Sequence, residues 1–148
     1  MNNLKSVKAF LRTAYDAQQK IEADKALLER ARAQAEGAQC VRYDKINVSG
    51  GRCETPALER AALNIVQLEA DLAADIERWT KAVRAVRDVI GGVANPCLRA
   101  VLEHRYLRMQ SWEQIAVDMG YSWRHLHRLH GIALAEAWKV LQERKIMS

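Results

Sequence analysis

Proline and glycine are scarce in this chain, which has two prolines and seven glycines among 148 residues. A domain built from short strands and tight turns needs more of both, so the composition argues against a β-rich fold. Alanine, leucine, glutamate, arginine and glutamine are abundant, and these residues favour helices. The composition therefore predicts an all-α protein.

Long apolar runs are also missing. No segment approaches the roughly 20 apolar residues that a membrane helix needs, and residues 1–5 lack the apolar core of a secretory signal. We therefore expect a cytoplasmic protein without a membrane partner. Cys40, Cys53 and Cys97 have no paired spacing and are expected to be free thiols, with a Cys40–Cys53 disulfide as the alternative under oxidation.

Signatures of catalysis and of cofactor binding are absent from the sequence. It has no glycine-rich phosphate loop, no His-Glu-x-x-His motif and no serine in an elbow motif. His127 and His130 lie three apart, but no second ligand pair at zinc-like spacing accompanies them. Glu69, Asp71 and Asp75 follow a pattern typical of solvated helix faces. We expect no enzymatic activity, no metal and no other cofactor.

Two long helices are predicted in the N-terminal region, residues 1–93. Apolar or small residues recur every three or four positions over residues 4–36 and again over 56–90. Gly37 is expected to cap the first helix, and a loop over 38–55 follows, whose role as a connector or a binding segment stays open. The first seam consists of Leu4, Val7, Leu11, Ala14, Ile21, Leu28 and Ala35. We expect an antiparallel, coiled-coil-like hairpin that joins two chains in a homodimer.

Three further helices are predicted in the C-terminal region, residues 94–148. Asn95 followed by Pro96 fits the start of a helix that reaches about Arg108. Ser111 fits the cap of a short second helix, with Gln114 as its capping-box partner. Ser122 caps a third helix, expected to continue to about residue 144 through Gly131, where the glycine would allow close packing.

The segment 111–129 has the pattern of a helix-turn-helix motif. Gly120 fits a left-handed turn between two helices, and Ala116 fits their close approach. The apolar residues expected in the small core between them are Ile115, Met119, Tyr121, Leu126 and Leu129. Such a pair presents the outer face of its second helix to a nucleic-acid groove.

Residues 95–134 resemble region 4 of bacterial sigma factors. The resemblance rests on Asn-Pro-x-x-Arg-x-Val-Leu-x-x-Arg-Tyr-Leu from position 95, Ser-Trp-Glu-Gln-Ile-Ala from 111, Met-Gly-Tyr-Ser from 119 and Arg-Leu-His-x-x-Ala-Leu from 128. The chain is more similar still to small phage-encoded regulators, including the ArpU-type late-gene regulators, which also carry a Tyr-Asp-Lys-Ile…Val-Ser-Gly-Gly loop, here at 43–51. Nothing resembles sigma region 2. The resemblance therefore implies a DNA-binding transcription regulator of phage or prophage origin without promoter melting, and leaves contact with RNA polymerase open.

The start of the second helix of the motif, predicted over 122–144, is expected to enter the major groove. Arg124 and Arg128 are four apart, and a guanidinium can bond both O6 and N7 of guanine. His127 can donate to a base or phosphate, and Trp123 can contact a sugar. Backbone phosphates are expected at the capping serines and at further cations. The full predicted set is Ser111, Ser122, Trp123, Arg124, His127, Arg128, Arg105, Arg108 and Lys139.

Two other functions fit the same pattern. A small terminase-like DNA packaging protein also combines a helix-turn-helix motif with long oligomerising helices, but it would form a ring of about eight or more copies. An interaction protein that occupies RNA polymerase without binding DNA would turn the Arg124 and Arg128 face toward protein. The oligomer mass separates the first alternative from a dimeric regulator, and co-purification of polymerase in the absence of DNA favours the second.

Overall fold

The described part of the chain is helical throughout its regular structure, which confirms the predicted all-α class. The computed structural model describes the backbone of residues 2–45 and 55–147. In chain order the helices are α1 (Asn2–Lys45), α2 (Thr55–Gly91), α3 (Pro96–Leu102), α4 (Trp112–Met119) and α5 (Trp123–Met147). A π-helical turn (Glu103–Leu107) directly follows α3.

The chain forms two compact units. Unit 1 comprises Met1–Ala17 and Arg78–Ser148, and unit 2 comprises Gln18–Glu77. This grouping differs from the predicted boundary after residue 93. The reason is that the first turns of α1 and the last turns of α2 pack with the C-terminal helices, which the local sequence pattern does not reveal.

The main core of unit 1 combines four helices with the π-helical turn. Val7, Leu11 and Ala14 from α1 are fully buried. The buried residues that lie with them are Val86, Val89, Ile90, Val93, Leu98, Leu102, Tyr106, Ala133, Leu134, Ala137 and Leu141. Full burial of a valine or leucine side chain contributes about 1.5–3 kcal/mol. The start of α1 is therefore an integral part of the unit that carries α4 and α5.

A smaller core fixes α4 against α3 and α5. Val101, Ile115 and Leu126 are fully buried at its centre. The partly buried side chains packed on them are Trp112, Ala116, Met119, Tyr121 and Leu129. All five apolar residues that the sequence assigns to this core belong to it, and so does Ala116.

The chain reverses between α4 and α5 at Gly120, whose φ of 69° lies in the left-handed region predicted for it. The Gly120 N–H donates to the carbonyl of Val117 at 3.3 Å, and the Tyr121 N–H donates to that of Ala116 at 3.1 Å. These are the two bonds of a Schellman motif, which satisfies carbonyls at the end of a helix. The turn is therefore fixed by backbone bonds as well as by the small core.

Three helix caps form as predicted. The Asn95 side chain accepts from the Cys97 N–H at 2.9 Å. Ser111 Oγ accepts from the Gln114 N–H and Ser122 Oγ from the His125 N–H, each at 3.2 Å. The reciprocal half of the predicted capping box is wrong, because the Gln114 side chain instead donates to Asp118 Oδ1 at 2.8 Å.

Two predicted helix ends are wrong. α1 continues through Gly37 to Lys45, so the expected loop does not begin at residue 38. A single glycine costs about 1 kcal/mol relative to alanine, which is too little to end a long helix. The rest of that loop, residues 46–54, and the side chain of Cys40 lie outside the described residues. The helix expected to reach Arg108 is α-helical only to Leu102, and the π-helical turn then closes with an Arg108 N–H to Glu103 carbonyl bond of 2.9 Å.

Gly131 does not serve close packing, contrary to the prediction. It is exposed, and a Cβ built on it would meet no atom within 4 Å. Gly131→Ala is therefore expected to raise the free energy of unfolding by about 1 kcal/mol, since alanine is the better helix former. Urea unfolding measures the change. Gly92→Ala is the contrasting control, because its Cβ would lie 2.6 Å from Val140 Cγ1. A loss of stability in Gly131→Ala would show that the position is packed after all.

Unit 2 pairs α1 with α2 in antiparallel order. Lys20 lies 3.4 Å from Asp75, and Arg32, further along α1, lies 2.8 Å from Glu69, earlier in α2. Ile21 is buried, as its place in the predicted seam requires. On α2 the periodic apolar pattern predicted over 56–90 does not hold at Ile76, which is 42% exposed, whereas its neighbour Asp75 is only 4% exposed.

The burial of Asp75 contradicts the prediction of a solvated carboxylate, and it creates a pair of acids. Asp24 lies against Asp75, and its pKa is raised first by a hydrogen bond with Asp75, then by burial and by the charge of Asp75. Asp24 Oδ2 is covered and has no hydrogen-bond partner. Two facing carboxyls disfavour a second negative charge, and the ammonium of Lys20 beside Asp75 offsets part of this repulsion.

Asp24→Asn is therefore expected to stabilise unit 2 near neutral pH, because the amide removes one of two facing charges. A carboxyl with a raised pKa in the folded state gains stability on protonation, so wild-type stability falls as pH rises through that pKa. The advantage of the variant should shrink as pH is lowered through the same value. Urea unfolding across pH measures it, with Asp16→Asn on the same helix as the control. An equal effect of both substitutions would contradict the pairing.

Candidate nucleic-acid interface

The start of α5 presents two arginines on one face. Arg124 and Arg128 are exposed and lie four residues apart, which places them one above the other. Arg128 Nη2 donates to His125 Nδ1 at 3.2 Å. The His125 ring in turn meets the Tyr121 ring edge-on, with centroids 4.9 Å apart. Arg128 is thus linked to the Gly120 turn through two side chains, which limits its freedom to move.

An aromatic cluster lies beside these arginines. The ring of His127 lies between two indoles, 4.6 Å from Trp112 and 3.9 Å from Trp123. His127 is half-buried, and its Nε2 is covered without a hydrogen-bond partner. The structure therefore does not present His127 outward as the sequence predicts, because its ring joins α5 to α4. Trp123 remains 60% exposed although its ring contacts this imidazole.

The predicted phosphate contacts fall into separate places. Ser122 caps α5 next to Trp123, and Ser111 caps α4. Arg108 is exposed just after the π-helical turn. Lys139 forms an ion pair with Glu136 at 3.2 Å, and lies about 16 Å along α5 from Arg128 at 1.5 Å per residue. The turn thus brings Ser122, Trp123, Arg124 and Arg128 together, whereas Lys139 stands apart.

Arg105 is held in a fixed position rather than left free in solvent. Its Nη1 donates to the Gln110 carbonyl at 2.9 Å, and its guanidinium lies 4.7 Å from the centre of the Trp112 ring. Such a stacked cation is attracted by the electrons of the ring. The Arg105 guanidinium is therefore already held in place, and an anion that binds it would cost little further conformational freedom of the side chain.

A buried hydrogen bond joins Tyr106 to His130 beneath this region. Tyr106 Oη lies 2.8 Å from His130 Nε2, and His130 is 7% exposed. Burial, followed by the charges of Lys8, His127 and Arg105, lowers the pKa of His130 to about 4. Burial also raises the pKa of Tyr106 to about 12. Both side chains are therefore neutral near pH 7.

The only cysteine with a described side chain is a free thiol, as predicted. Cys97 is half-buried, and its Sγ lies 3.3 Å from Tyr121 Oη. This hydrogen bond is the main cause of the raised pKa of Tyr121. The contact connects the start of α3 with the turn before α5.

Sequence reasoning missed three residues of α1 that lie near the predicted site. Lys8, Arg12 and Tyr15 line a cavity of about 370 Å³ together with Arg105 and Trp112. The four-residue spacing of Lys8 and Arg12 was visible, and it places them on one helix face. No local pattern indicates that this face lies against the π-helical turn.

Neither a metal centre nor a membrane span is found in the described part of the chain. Within residues 2–45 and 55–147, no three side chains of the ligand types His, Cys, Asp or Glu are grouped to hold a metal ion. In the same residues, every helix is too short or too polar to cross a bilayer. Comparison of the chain with protein-family models, curated proteins and solved structures found no match.

Proposed function

We propose that this protein is a DNA-binding transcription regulator of phage or prophage origin, and that α4 and α5 form a sigma region 4-like helix-turn-helix motif. One observation carries the proposal: the left-handed turn at Gly120 is followed by a helix whose first turns expose Arg124 and Arg128. The small core of Val101, Ile115 and Leu126 supports it by fixing the two helices against each other.

The first turns of α5 enter the major groove of DNA. Arg128 and Arg124 bond base edges there, preferably guanine, since a bidentate guanidinium contact contributes about 1–3 kcal/mol of discrimination. Trp123 contacts a sugar at the edge of the groove. The N–H groups at the start of α5, beside Ser122, bind a backbone phosphate. Arg105, Arg108 and Ser111 add backbone contacts that position the protein without reading sequence.

Unit 2 joins two chains in a homodimer. Its α2 carries an exposed stripe of apolar side chains spaced by three and four residues, namely Leu63, Val66, Ala70 and Ala73. Leu63 is 68% exposed and Val66 is 61% exposed. Exposed apolar stripes of this kind mark helix–helix interfaces. Light scattering that gives the mass of a single chain, or of a large ring, would overturn this part of the proposal.

Arg128→Ala is expected to weaken specific DNA binding by about 1–3 kcal/mol without changing the fold, because the side chain is exposed and leaves no cavity. Fluorescence anisotropy with a selected duplex measures the affinity, and circular dichroism checks the fold. Arg30→Ala, an exposed arginine of unit 2, is the matched control and should bind normally. Unchanged affinity in Arg128→Ala counts against the groove assignment. Co-purification of RNA polymerase with the wild-type chain in the absence of DNA would favour the polymerase-binding alternative.

A further inference from the structure

A cavity with strongly positive walls lies on unit 1 between the start of α1 and the π-helical turn. Three cations line it: Lys8 and Arg12 from α1, and Arg105 from the turn. Ser111 and Trp112 also line it. No carboxylate is among the described residues that line it. The positive potential extends into the protein, since Lys8 and Arg105 both lower the pKa of the buried His130.

The walls of this cavity are held in position by local structure. Arg105 is fixed by the Gln110 carbonyl and by Trp112. The Arg12 guanidinium lies over the Tyr15 ring, 6.0 Å from its centre. The backbone beside them is unusual, because Met109 has a φ of 57° and follows a π-helical turn. Such conformations in residues other than glycine are found preferentially at functional sites.

We propose that this cavity binds a phosphate group. Three cations in one cavity wall without a facing acid favour an anion, and Ser111 in the same wall carries a neutral hydroxyl donor. The volume of about 370 Å³ is within the range of small-molecule sites, and the aromatic wall would accommodate the remainder of a nucleotide. The phosphate belongs either to a free small anion or to the backbone of bound DNA. In the first case Arg105 and Ser111 hold this anion and not a DNA phosphate, and in the second the site rests on the proposed function and adds one anchoring contact.

Isothermal titration of the full chain with inorganic phosphate, and separately with adenosine monophosphate, tests the proposal. Saturable binding is expected, and Arg12→Gln should weaken it about tenfold or more, as expected for loss of a charged hydrogen bond. Arg30→Gln is the matched control, since it removes the same charge from an exposed position on the same helix. It should leave the affinity unchanged.

A second arm distinguishes the two sources of phosphate. If the cavity holds a backbone phosphate, duplex DNA displaces the small anions, and Arg12→Gln reduces the slope of log affinity against log salt by about 0.9. If the cavity holds a free anion, DNA and phosphate bind together. Two results would overturn the proposal. In the first, the wild type binds neither anion saturably, and Arg12→Gln keeps the full salt slope of DNA binding. In the second, Arg30→Gln has the same effect as Arg12→Gln. A chain that binds phosphate but no DNA would refute only the proposed function.

Discussion

Replacing Leu126 by alanine is expected to lower the free energy of unfolding by about 2–5 kcal/mol, the usual range for a buried leucine. Leu126 is fully buried and lies with Val101 and Ile115 in the small core between α4 and α5. Few other buried side chains are available there to fill the space left by three heavy atoms. The packing that fixes the angle between the two helices should therefore loosen, and DNA affinity should fall together with stability. Urea unfolding and DNA titration of the same sample measure both effects.

Ile132→Ala is the matched control for this prediction. Ile132 lies on the same helix and loses a side chain of similar size, but it is 47% exposed. Surface substitutions usually change stability by less than about 0.5 kcal/mol. If Leu126→Ala costs no more than Ile132→Ala, the small core does not hold α4 and α5 in place. The proposed helix-turn-helix geometry would then lose its physical basis.

Unit 1 should lose up to about 3 kcal/mol of stability as pH falls from about 6.5 to about 4. The pKa of His130 is about 4 in the folded state, against an ordinary value of 6.5. Above pH 6.5 the ring is neutral in both states, and the full stability is present. As pH falls below 6.5 the unfolded chain takes up the proton first, which favours unfolding; each pKa unit of difference contributes about 1.4 kcal/mol. The cause is burial, reinforced by Lys8, His127 and Arg105 nearby.

Urea unfolding of wild type and of His130→Asn at several pH values isolates this effect. The variant is expected to be less stable near pH 7, because it loses the bond to Tyr106. Its stability should nevertheless fall much less between pH 6.5 and 4, since no buried imidazole remains to be protonated. Contributions from the other histidines cancel in the comparison. Parallel pH curves for the two proteins would show that His130 does not titrate in a buried environment.

The sequence predicted the α4–α5 region well because its determinants are local. These determinants each act within a few residues. They are a glycine in the left-handed region, a serine before each helix and apolar residues at helical spacing. Gly120, Ser111 and Ser122 accordingly adopt the predicted roles. The predicted core residues, from Ile115 to Leu129, also meet as expected.

The features that were missed depend on distant or competing effects. Val7 and Leu11 carry the same periodic pattern whether they face α2 or the C-terminal helices, so the boundary of unit 1 was not visible. Asp75 lies next to an apolar seam, and the Lys20 that compensates its burial is far away in sequence. The π-helical turn carries Tyr106, which is buried in the main core, and its residues have no local pattern that separates it from an α-helix. Arg12 lies in the same turns of α1 as Val7, so the sequence did not indicate that it lines a cavity with Arg105.

Selection of duplexes from a random DNA pool tests the proposed groove contact most directly. The wild-type chain and the Arg124→Ala, Arg128→Ala double variant are taken through the same rounds. We predict that the wild type enriches a defined sequence, and that the double variant folds normally but fails to enrich it. Enrichment of the same sequence by both proteins, or of none by the wild type, would contradict the account.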